Sequence, residues 1–246
     1  KMIMKQNFFD QLDGGWGEVV ANTYKDANTF MAESTITPSG TVCICKNKYN
    51  SDETVTGVLL FPDNVEVISS SAFRNCDGIT RIEFPESLKG ISTFAFESCT
   101  NLSKIKFNEG LEYLKSFAFS HCVNLKSVQF PSSLEKISIS VFENCGLEGN
   151  LLIPGNIKYL GDRSFANCKN LNGNLILEKG ISEINFECFM GCKFTGELYI
   201  PETVTKIYGG AFYGCNFSTI YIKAENLRNW NSSDWNEGCN AKIIYY

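Results

Sequence analysis

His121 is the only histidine in this 246-residue chain, and six prolines, four methionines and three tryptophans are nearly as sparse. One imidazole makes neither a metal-binding pair nor a nucleophile with its base and orienting partner. His121 lies between Ser120 and Cys122 and reads as an exposed turn residue. No phosphate-cradling glycine loop and no nucleophile elbow occur. Aspartates and glutamates fall at unpatterned positions, so the carboxylate pair of a glycoside hydrolase would have to be assembled from separate parts of the chain. No apolar run approaches the roughly 18 residues that span a bilayer. Positive charge is not in surplus either: 22 Lys and Arg against 27 Asp and Glu leave a net charge of -5, which disfavours nucleic-acid binding. These absences predict a chain that is not an enzyme, holds no cofactor or metal, binds no nucleic acid and has no transmembrane segment.

Phenylalanine and cysteine are plentiful, at 19 and 11. They recur together, in seven short blocks: Ala72–Cys76, Ala95–Cys99, Ala118–Cys122, Val141–Cys145, Ser164–Cys168, Cys188–Cys192 and Ala211–Cys215. The terminal cysteines are 23, 23, 23, 23, 24 and 23 residues apart, and Cys239 follows 24 further on. A period in the low twenties is one small supersecondary unit per repeat, stacked so that each unit covers the next. The array has one continuous core and no internal boundary. It occupies residues 54–246, about eight coils, with 223–246 as an atypical C-terminal cap that contains Trp230 and Trp235. Residues 1–53 lack the repeat and read as an N-terminal cap, a small attached domain or a degenerate first coil. Because the chain begins at Lys1 and not at methionine, an N-terminal piece such as a signal peptide is expected to precede it.

Within one repeat, Ile105 and Phe107 alternate with Lys104 and Lys106, the period of a half-buried strand. Pro62, Pro85, Pro131, Pro154 and Pro201 then end the strand, because proline cannot donate into a ladder. Apolar pairs three apart follow, such as Leu88/Ile91 and Val204/Ile207, and suggest an irregular or short-strand back wall. The Ala-Phe block reads as a tight turn that drives Phe73, Phe96, Phe119, Phe142, Phe165, Phe189 and Phe212 inward as a stacked spine. Eight cysteines, from Cys76 to Cys239, share one register, as small buried hydrophobes do, and predict reduced thiols in place of a disulfide framework. Cys43 and Cys45 stand apart at i, i+2. Metal binding or pairing with another chain stays open for them, although two ligands without histidine are a weak metal signal. Asn101, Asn216 and Asn231 fit the glycosylation acceptor pattern, which short sequences meet by chance.

These residues resemble the BspA-like leucine-rich repeats of bacterial surface antigens. Their unit runs Cys-x-x-Leu-x-x-Ile-x-Leu/Phe-Pro-x-x-Leu-x-x-Ile-x-x-x-Ala-Phe, and Cys99, Leu102, Ile105, Phe107, Leu111, Leu114, Ala118 and Phe119 fall on it. Gly149-Asn150, Gly173-Asn174 and Gly196-Glu197 follow a variant in which the strand is entered through a glycine. The resemblance covers about three quarters of the chain. It implies a right-handed horseshoe solenoid with one parallel sheet face, a secreted or cell-surface location, and adhesion to a host or extracellular-matrix protein. A carbohydrate-binding surface built on Tyr199, Tyr221, Tyr245 and Trp230, or a purely structural spacer, are the alternatives.

Outward strand positions show where a partner would dock. They run Leu60, Glu83, Lys106, Gln129, Leu152, Ile176, Tyr199, Tyr221, Ile244. From Leu152 onward five coils present apolar or aromatic residues, predicting a stripe about 19 Å long at the usual strand spacing, rimmed by Asn150, Asn174, Glu197, Thr219 and Lys242. An exposed apolar patch of this kind calls for a partner, and tyrosine is a frequent interface anchor.

Overall fold

The computed structural model describes residues 17–19, 29–31, 34–36, 42–44, 57–61, 63–223 and 234–246. It is a parallel-strand β-solenoid of about 8 turns, without a helix among the described residues. A typical turn places a strand on the front wall, a two-residue strand on the back wall and a tight turn between that wall and the next coil.

The front strands obey the period-two pattern: Ile105 and Phe107 are buried while Lys104 and Lys106 are exposed. Thr29–Met31, Gly57–Leu60, Ile79–Glu83 and Lys104–Lys106 form one parallel ladder. Leu151–Ile153 pairs with Leu175–Leu177, and Glu197–Tyr199, Thr219–Ile222 and Lys242–Tyr245 form a third piece. The described prolines do more than stop the ladder. Pro85, Pro131, Pro154 and Pro201 each offer their carbonyl to the N–H three residues on, at 3.0–3.2 Å, and so open the turn toward the back wall. Asn108 takes the same place in its coil, and its amide donates to the carbonyls of Glu86 and Leu88.

After a first strand of three residues, the back wall is a ladder of two-residue strands. Val42–Ile44, Val67–Ile68, Gly90–Ile91, Tyr113–Leu114, Lys136–Ile137 and Tyr159–Leu160 pair in parallel, and Glu183–Ile184 pairs with Lys206–Ile207. N-terminal to the repeats, Gly17–Val19 and Ser34–Ile36 join the same sheet antiparallel.

The Ala-Phe turns make a third hydrogen-bonded wall that the repeat pattern does not announce. Alternate N–H groups bond to the next turn: Phe94 to Ser116, Phe96 to Ala118 and Ser98 to Ser120. This needs left-handed backbone two residues before and two after each spine phenylalanine, as at Phe94 and Ser98, Ser140 and Asn144, and Arg163 and Asn167. Gly191, Gly210 and Gly214 take those places in the later coils.

Inside lies the spine. Rings of Phe73, Phe96, Phe119, Phe142, Phe165, Phe189 and Phe212 stack at centroid distances of 5.2–5.9 Å, and Trp235 closes the stack edge-on at 6.2 Å. All nine described cysteines are free thiols; eight are buried and Cys76 is half-buried. Pro62, Cys45, Trp230 and Asn231 lie outside the described residues, as does the side chain of Cys43.

The front sheet differs from the sequence expectation in the coil of Gln129. Residues 126–130 carry a strand pattern but form no strand. Phe61, Phe84 and Phe107 stack in a front row at 5.7 Å and each also packs on the spine ring of its own coil; Phe130 packs likewise on Phe142 but reaches on to Phe165. Phe130 itself stays half-buried, and from the following coil Glu148 N–H reaches back to Lys126 O, at 3.0 Å.

Candidate binding face of the sheet

Leu152 and Ile176 are register partners on one sheet piece, 47% and 50% exposed. Tyr199, Tyr221 and Ile244 are register partners on the next; Tyr199 is 56% exposed and the other two are half-buried. Leu152, Ile176, Tyr199 and Tyr221 alternate with buried neighbours, as at Leu151–Ile153 and Leu175–Leu177, so their direction follows from the pleat. Ile244 sits between half-buried Ile243 and exposed Tyr245 and shares their face by its register with Tyr221. The expected continuous stripe has one interruption: no strand pairing joins Leu175–Leu177 to Glu197–Tyr199. Tyr245 pairs with Ile222 and therefore belongs to the opposite face of its strand.

At that interruption is a surface groove of about 380 Å³, lined by Asn174, Leu175, Ile176, Leu177, Glu197 and Tyr199. Tyr199 and Tyr221 stack with centroids 4.4 Å apart and planes 5° apart. Glu197 holds both: Tyr199 O–H donates to Oε2 and Tyr221 O–H to Oε1, each at 3.1 Å. Those hydrogen bonds raise both phenols above their ordinary value. Of the other rim positions, Asn150, Asn174 and Lys242 are exposed and Thr219 is half-buried. Asn150 Oδ1 accepts the Asn174 backbone N–H at 2.7 Å.

Glu197 is more than the rim residue that the sequence suggested. Its spacing from Tyr199, i to i+2 on a strand, puts both side chains on one face, and that was the legible signal. The groove had none, because it arises from strand pairing that stops. The N-terminal half of the front wall presents Arg81, Glu83, Lys104 and Lys106, with Arg81 and Glu83 paired at 2.5 Å.

His121 is exposed; its Nδ1 lies 2.9 Å from Ser120 Oγ and its Nε2 3.2 Å from Asn144 Nδ2, which ties two neighbouring turns together. Among the described residues no group of three or more His, Cys, Asp or Glu is placed to hold a metal ion, and no helix is long and apolar enough to cross a membrane.

A helix-free stack of parallel strands, with a leucine or isoleucine column inside and an open sheet outside, defines a leucine-rich-repeat solenoid, the class of repeat protein-interaction module. The chain belongs to the BspA type leucine-rich repeat family, whose signature matches in 6 copies over residues 44–172 and 173–244. Members of this class are in general non-enzymatic scaffolds. Among solved structures, a leucine-rich repeat protein of T. pallidum superimposes with a TM-score of 0.65 and 28% identity, over 75% of this chain and 86% of that one. One from Bacteroides ovatus gives a TM-score of 0.54 and 21% identity, over 96% and 71%. The pneumococcal vaccine antigen PcpA gives 0.55 and 16%, over 89% and 66%. The last two likenesses are of fold alone. No curated protein matches the chain.

Proposed function

We propose that this chain is a secreted or cell-surface adhesion module that binds a protein partner, of the host or extracellular matrix, through the C-terminal half of its sheet face. Leu152, Ile176, Tyr199, Tyr221 and Ile244 are the contact residues of this reading, and it assigns the chain no catalytic role. The observation that carries it is the change of character along the front wall: charged outward residues at Arg81, Glu83, Lys104 and Lys106 give way to exposed Leu152, Ile176 and Tyr199. Monomeric surfaces seldom keep such a run of apolar side chains without a partner, and solenoids present extended faces for recognition. Residues 54–246 are the recognition solenoid in this proposal, residues 1–53 its N-terminal cap and residues 223–246 its C-terminal cap. Support for the first cap comes from Thr29–Met31 and Val42–Ile44, which extend the front and back ladders by one coil. Immobilised matrix proteins and a glycan array, probed side by side, test the reading. Saturable binding to a protein is expected, and binding to sugars alone would overturn it.

A further inference from the structure

The groove beside Tyr199 has a chemistry of its own. One face of the Tyr199 ring is covered by Tyr221, and the ring's other side borders the groove opposite Ile176. The two hydroxyl contacts to Glu197 fix the ring's tilt. An ionised carboxylate offers about four lone-pair sites; the tyrosines occupy one on each oxygen, and two remain. Among the described residues no lysine or arginine forms an ion pair with Glu197. An aromatic ring, a carboxylate with no ion pair among the described residues and an apolar wall therefore meet in one groove.

Resting on the protein-binding reading above, we infer that this groove seats an arginine side chain of the partner, its guanidinium stacked on Tyr199 and hydrogen-bonded to Glu197, its methylene stem against Ile176. Three properties of the group fit the three walls. A guanidinium is planar and stacks on aromatic faces. It presents parallel N–H donors to a carboxylate. Its stem is apolar and packs along apolar surface while the charged head stays hydrated. Lysine, a strongly hydrated point charge, matches the carboxylate but not the ring. A sugar would stack on the ring and could donate a hydroxyl to Glu197, but it carries no positive charge to match the carboxylate, and the other polar side chains of the lining are only the Asn174 amide and the Tyr199 hydroxyl, which already donates to Glu197. The net charge of -5 adds a weak attraction for a cationic segment.

The test uses the whole chain and small probes: Nα-acetylarginine amide, its neutral isostere Nα-acetylcitrulline amide, Nα-acetyllysine amide and N-acetylglucosamine, each titrated while tyrosine ring resonances are followed by NMR. The arginine probe should shift the Tyr199 and Tyr221 ring signals saturably, with at least tenfold weaker binding of the citrulline probe and several-fold weaker binding of the lysine probe. Glu197→Gln should weaken the arginine probe about tenfold. Tyr199→Ser should abolish its effect, and Tyr199→Phe, which keeps the ring, should retain most of it; melting curves show that each variant is folded. Equal binding of arginine and citrulline probes, no shift with either, or Tyr199-dependent binding of N-acetylglucosamine would each overturn the inference. A protein partner bound through Tyr199 and Tyr221 by a chain that ignores the arginine probe would remove this inference and leave the binding face standing. Arginine binding in the groove without any protein partner would do the reverse.

Discussion

Cys168 Sγ donates to the carbonyl oxygen of Phe142 at 3.0 Å, so a thiol of one coil is bonded to the spine residue of the coil before it. The relation repeats along the solenoid, from Cys99 with Phe73 to Cys192 with Phe165 and Cys215 with Phe189. Each thiol adds a second hydrogen bond to a spine carbonyl that already accepts the backbone N–H three residues on, as Phe142 does from Cys145.

Burial raises these thiols above the ordinary value of 9.0: Cys76 to about 11, Cys168 and Cys188 to about 12, and Cys145 and Cys192 well above it. Thiolate is the reactive form, so the native protein should resist alkylation at neutral pH, and denaturation should release the cysteines. Mass spectrometry after native and denatured labelling reads this out. Above pH 9 the unfolded chain loses thiol protons that the folded chain keeps. Stability conferred by the buried thiols is therefore complete below that pH and falls as pH rises toward 12. Urea midpoints measured from pH 8 to pH 11 should decline, and a flat profile would contradict the ladder.

Arg163 reaches across the turns on either side of its own, to Glu143 at 2.6 Å and Glu187 at 2.6 Å. Glu143 is buried while Arg163 stays 38% exposed in its side chain, which tempers the cost of losing the pair. Arg163→Ala should destabilise by about 2 kcal/mol, below the ~3–5 kcal/mol of a fully buried pair, because a carboxylate is left without its cation. Adding Glu143→Gln should recover part of the loss in denaturant melts.

Ser98 has a φ of 57° and bonds its N–H to the next turn. A β-branched residue suits that backbone poorly, so Ser98→Val should cost roughly 1–2 kcal/mol. Ser98→Gly should leave the melting temperature unchanged or higher, as expected from the glycines at the equivalent positions 191 and 214. A valine variant as stable as the parent would show that the turn ladder is not strained there.

What could be read in advance followed from periodicity. Spacing of Phe73 through Phe212 announced the spine, and alternation around Ile105 and Phe107 announced the strands, because burial repeats with the coil. Pairing between strands is set by distances that no single repeat encodes. Hence residues 126–130 read as a strand yet form none, and the groove between Ile176 and Tyr199 left no mark on the pattern. The left-handed turns were hidden for another reason. Phe94, Arg163 and Glu187 are not residue types that advertise positive φ; the neighbouring turn's carbonyls impose it.

The central claim is that the C-terminal half of the sheet face is where this solenoid binds. Replacing Tyr199 and Tyr221 together with serine tests it most directly, since both side chains project from the sheet and the core beneath them, Leu198 and Ile220, is untouched. With the melting temperature within a few degrees of the parent, affinity for the protein partner should fall at least 30-fold, the size of one anchor residue's ~2 kcal/mol. Unchanged affinity in a stably folded double variant would contradict the claim and move the binding site elsewhere on the chain.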